Sequence, residues 1–90
     1  MNYIEQIAES LREKDITDGY EYQYALLVLV KGDKVTNSDV HDAWSLLENQ
    51  TNPEHPSLIP YSKLTEEKKA KDQHFRNIIQ EVAREFNMIK

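Results

Sequence analysis

The longest apolar run of the chain, Ala25-Leu26-Leu27-Val28-Leu29-Val30, restricts the fold more than any other feature. Its residues suit a buried strand. No second alternating segment exists to pair with it, and a lone strand leaves backbone donors and acceptors unsatisfied, so the run is read as part of a helix. It is also far shorter than the roughly 20 residues a membrane span needs. With no basic-then-apolar leader at the N-terminus, a soluble, cytoplasmic protein without membrane partners is expected.

Ninety residues, 39% hydrophobic and 30% charged, fit one small domain over residues 1 to 90 with a single core. The absence of cysteine removes disulfides and thiolate metal sites, leaving side-chain burial as the source of stability. A net charge of −5 with no basic stripe argues against DNA or RNA, whose binding rests on cationic contacts to phosphate. Asn49-Gln50-Thr51 matches a glycosylation sequon. Without an export signal it is taken as coincidence.

Ile4, Ile7, Ala8 and Leu11 recur at helical spacing and predict an amphipathic helix over residues 2 to 14. Thr17 or Asp18 can cap a second helix that presents Tyr20, Tyr24, Leu27 and Val28 on one face and ends near Gly32. Thr36 and Asp39 have the spacing of a capping box, ahead of Val40, Ala43, Trp44 and Leu47 on the face of a third helix. After Asn49, Pro53, Pro56 and Pro60 break regular structure up to about Ser62, giving an ordered loop anchored by Leu58, Ile59 and Tyr61. Thr65, Glu66 and Glu67 open a short helix, a charged turn follows, and Asp72 restarts or continues helicity. Phe75, Ile78, Ile79, Val82 and Phe86 then stripe the last helix. The expected class is all-α, four to five helices, with the proline-rich loop packed on the helix that carries His41 and Trp44.

Those two residues, three apart, share one helical surface and can touch one ligand together. By default an indole on an apolar face is a core residue, although one at the core edge can pack one face and offer the other to a planar ring. His41 and His55 lack a clustered third ligand for zinc. Asp39 or Asp42 beside His41 would form an acid and base pair only if they faced the imidazole, and neighbours one or two residues apart on a helix do not. No catalytic residues, metal or cofactor are therefore expected. Lys63, beside the loop, and Arg76 in the last helix are the cations nearest to the expected pocket. The charged run KLTEEKKAKD reads as a solvated helical face.

The D-V-H-D-A-W run at 39 to 44, the H-P-S-L-I-P-Y run at 55 to 61, Leu64, Glu66, Glu67 and Asp72 together resemble the RyR domain. Matching positions span residues 36 to 83. The Gly-Trp-x-Tyr-Gly segment of the channel repeats is missing, replaced by the shorter connection TNPEHPSL. The resemblance implies a small helical domain without catalysis that recognises a nucleotide-derived molecule, such as a cyclic nucleotide or an ADP-ribose-type signal. Trp44 would stack on it, with His41, His55 and Pro56 lining the pocket, Leu58 and Tyr61 nearby, and Lys63 and Arg76 as phosphate donors. A free-standing domain of this kind implies sequestration in antiviral signalling conflict, with a homo-oligomer closing the pocket between subunits. The alternative is a protein-interaction module, or a subunit of a larger assembly, in which Trp44 and Tyr61 anchor a partner surface.

Overall fold

A computed structural model describes every residue from Met1 to Lys90. Four helices make up the fold: α1 (Tyr3–Arg12), α2 (Tyr20–Val30), α3 (Asn37–Thr51) and α4 (Glu66–Glu85). Two 3-10 turns, Gly32–Lys34 and Tyr61–Lys63, punctuate the connections, and there is no strand. The Ala25–Val30 run lies wholly in α2, as its lack of a partner strand requires. Ala25, Leu27 and Val28 are buried, while Leu26 and Val30 face outward. α2 touches each of the other three helices, and its Val28 is fully buried among Ile7 and Leu11 of α1, Val40 of α3 and Ile79 and Val82 of α4. An apolar sequence on most sides of a helix is what such a central position demands.

The helix ends follow local chemistry, with two departures from the sequence reading. Thr36 Oγ1 accepts from the Asp39 N–H at 3.1 Å while Asp39 Oδ2 accepts from the Thr36 N–H at 2.9 Å, so α3 opens with a complete capping box. α2 does not use Thr17 or Asp18. Its N-cap is Gly19 in the left-handed region, φ 91°, and the Glu21 carboxylate accepts the Gly19 N–H at 2.7 Å. Ile16 turns into the core immediately before, and Arg12 grips Glu21 at 2.9 Å, so the chain reverses too tightly for either residue to cap. The second departure is at residues 65 to 86. The expected short helix, charged turn and final helix form one element, α4, capped by Thr65 and carrying Glu66 and Glu67 in its first turn. Its lysines, glutamates and Ala70 are good helix formers, and no glycine or proline interrupts them.

The C-terminal tail folds back on the turn after α2. Asp33 N–H donates to the Met88 carbonyl at 3.2 Å, and Lys90 N–H donates to Asp33 Oδ1 at 3.0 Å. The tail approaches closely because Gly32, φ 55°, has no side chain: a Cβ there would collide with the Met88 carbonyl. Gly32→Ala is therefore expected to lose about 1–2 kcal/mol from the left-handed backbone alone, with displacement of the tail adding to it. Urea unfolding measures the loss, and an unchanged midpoint would contradict this account of the tail.

Candidate functional site

Two elements converge on one face of α3. Past Thr51 the chain turns twice, the His55 N–H donating to the Asn52 carbonyl at 3.1 Å and the Leu58 N–H to the His55 carbonyl at 3.1 Å. His55 Nδ1 accepts the Ser57 N–H at 3.0 Å, which fixes the ring with its edge toward Trp44, centroids 5.0 Å apart at 81°. The His41 ring also lies against Trp44, 5.7 Å away at 23°. His41 Nε2 is 2.7 Å from the Ile59 carbonyl. A carbonyl can only accept, so Nε2 carries the proton and ties the loop to the helix. Tyr61 completes the seam, its ring 6.4 Å from His41 and its hydroxyl accepting from Asn37 Nδ2 at 3.1 Å.

This seam leaves a cavity of about 200 Å³ bounded by α2, α3, the loop and α4. Its walls are aromatic: Tyr24, Trp44, His55 and Phe75. Ser57 and Leu64 close the loop side, and the exposed Lys68 and Lys71 stand at the rim. Its most buried residues with polar groups are Tyr24, His41 and Asp72, 2%, 3% and 8% exposed. His41 Nδ1 lies 3.7 Å from Asp72 Oδ2, too far for a hydrogen bond. Oδ2 is buried and accepts nothing from the protein. Burial pushes the Asp72 carboxyl above its ordinary value, opposed in part by the charge of His41 when protonated. Burial, then the Asp72 charge, also holds the Tyr24 phenol well above its ordinary value. No three His, Cys, Asp or Glu side chains gather closely enough to hold a metal ion.

Of the residues singled out from sequence, His41, Trp44 and His55 line the cavity together. Leu58 faces a separate, shallower groove with Leu46 and Ile59 on the outer side of α3. Pro56 is exposed, and Tyr61 braces His41 from outside the cavity. Lys63 projects from the second 3-10 turn, and Arg76 reaches Asn77 at 3.3 Å with its Nε buried and unpartnered. The cations at the rim are instead Lys68 and Lys71. Lys68, Lys71, Asp72 and Phe75 fall at positions i, i+3, i+4 and i+7 of α4, one helical face, a spacing visible in the sequence but masked by the charge around it. The carboxylate facing His41 is Asp72, since Asp39 caps α3 and Asp42 lies on the outer groove.

Fold and cavity define a small all-α domain with an aromatic-walled pocket. The particular family is given by comparison with known proteins: residues 2–84 match the family described as Domain of unknown function (DUF7701), and the chain belongs to it. No curated protein and no solved structure matches the chain. The resemblance to the RyR domain is overturned by this match, which extends over both α1 and α2 and beyond the motifs that suggested it. The two proline-loop and H-x-x-W motifs describe a helix and loop seam, and such a seam is not particular to one family. The antiviral context that came with the resemblance loses its basis.

The raised Asp72 carboxyl has a consequence for stability. The folded protein holds that proton more tightly than the unfolded chain, so stability falls as pH rises from the unfolded value of about 3.9 through the folded one. Asp72→Asn removes this cost. The variant should gain on the parent as pH rises above about 3.9, as read by urea midpoints. A gap independent of pH would mean that burial does not govern this carboxyl.

Proposed function

We propose that this domain binds a small planar molecule carrying an anionic tail, of the nucleotide-derived class, and returns it unchanged. The supporting observation is the union in one cavity of aromatic walls, Trp44 and His55 above all, with two rim lysines that take part in no ion pair, Lys68 and Lys71. Size narrows the ligand. A cavity of about 200 Å³ is below the roughly 300–1,000 Å³ of sites that enclose a whole drug-sized ligand. It admits one heterocycle and leaves sugar and phosphate at the mouth, beside the lysines.

Binding without reaction fits the geometry around His41. Ser45 Oγ, His41 and Asp72 follow one another at 3.5 and 3.7 Å in the order of a hydrolytic triad. The Nε2 proton is donated to Ile59, so that nitrogen is not free to take one from Ser45. Ser45 also opens onto the outer groove and not onto the cavity.

A protein-interaction role draws support from a different surface. Leu26 and Val30 lie four residues apart on the outer face of α2, both exposed, beside Tyr22, whose hydroxyl is held by Glu5 and Arg12. A concentration-dependent mass in sedimentation, abolished by Leu26→Glu, would favour it.

The ligand reading is tested by thermal shift and by fluorescence of Trp44, the only tryptophan, against nucleoside monophosphates, cyclic nucleotides and ADP-ribose. A ligand at 100 times its Kd adds about 2.7 kcal/mol of stability, and contact with the indole should change its emission. Trp44→Phe should stay folded and bind more weakly. Silence across the panel in both readouts would reject the reading.

A further inference from the structure

The Asp72 carboxylate lines the cavity together with the Tyr24 phenol, His41 and His55. Asp72 Oδ2 is buried without a partner. His41 Nε2 is committed to the Ile59 carbonyl, and its Nδ1 lies 3.7 Å from Oδ2. A heterocycle that reaches this carboxylate is held best by N–H groups on its leading edge, since a leading carbonyl or ring nitrogen would set lone pair against lone pair. We propose that the pocket selects guanine-type bases, recognised by Asp72 through the adjacent imino and amino N–H groups of the base; this rests on the ligand reading above.

The common bases separate cleanly on this criterion. Adenine and cytosine each place an amino donor beside a ring-nitrogen acceptor, and uracil flanks its single imino donor with two carbonyls. Guanine alone presents two neighbouring donors, spaced to meet the two oxygens of one carboxylate. The sugar-bearing nitrogen lies on the opposite side of the purine from that edge. Docking the edge on Asp72 therefore directs the phosphate outward, toward Lys68 and Lys71 at the rim. Trp44 and His55 supply the ring contacts on the way in. A charge-assisted bidentate pair in a dehydrated pocket discriminates well beyond a single neutral hydrogen bond.

Titration calorimetry at about pH 8, well above the ordinary carboxylate range, should rank GMP above IMP, which lacks the amino group, and IMP above AMP. The GMP to AMP ratio should be about tenfold or more, the discrimination expected of one bidentate pair. Asp72→Asn, a variant expected to fold well, replaces one acceptor with a donor; GMP should lose its advantage and XMP, with a carbonyl in place of the amino group, should gain. Lys68→Ala with Lys71→Ala should weaken all monophosphates by a similar factor and leave the ranking of bases intact. Equal binding of GMP and AMP, or an unchanged ranking in Asp72→Asn, overturns the guanine proposal while leaving the pocket as a nucleotide site. Absence of binding by every monophosphate, with Trp44 emission unmoved, overturns both.

Discussion

The hydrogen bond from His41 Nε2 to the Ile59 carbonyl organises everything around the cavity. A loop with three prolines has few backbone donors of its own and no regular ladder to join, so side chains must hold it. His41 does so from a nearly buried position on α3. The same bond turns the opposite nitrogen, Nδ1, toward Asp72. One bond thus seats the loop and orients the imidazole between Trp44 and Asp72.

The surrounding scaffold is rigid where the site needs it. Trp44 and His41 sit on α3, whose start is fixed by the reciprocal Thr36 and Asp39 bonds, and Lys68, Lys71, Asp72 and Phe75 sit on the continuous α4. Phe75 and Tyr24, with ring centroids 5.9 Å apart, join the cavity wall to the core built around α2. Because cavity and core share these rings, repacking of α2 against α4 would alter the pocket's shape as well as the domain's stability.

Much of the fold was legible in the sequence because each signal had a local cause. The capping box, the unpartnered apolar run and the stripe from Phe75 to Phe86 each specify helix from within a few residues. The start of α2 was not legible, since Gly19 caps it only because Arg12, nine residues from Glu21, holds that carboxylate in place. Part of the cavity was legible for the same reason: His41 and Trp44 share one helix, and His55 follows in the adjoining loop. Lys68, Lys71 and Asp72 were hidden in a run of mixed charge, and only the docking of α4 across α3 separates the residues facing the cavity from those facing water. Lys63 and Arg76 were plausible as cations by sequence distance, but the turn at Tyr61–Lys63 and the rotation of α4 carry them away from the lining.

Asp72 is the residue whose presence a purely structural account leaves unexplained. A buried group without its hydrogen-bond partner costs about 1–3 kcal/mol, more when charged, against a total stability of about 5–15 kcal/mol for a domain. A small core without disulfides has little margin for such a cost. An asparagine at that position would be cheaper, and an apolar residue on the same face of α4 cheaper still. The carboxylate makes physical sense as one half of an interaction completed from outside: a donor arriving through the aromatic walls would meet an acceptor already desolvated and held on a helix, so little reorganisation would accompany binding. The destabilisation of the empty domain and the discrimination of the filled one are then two consequences of the same unpaired oxygen.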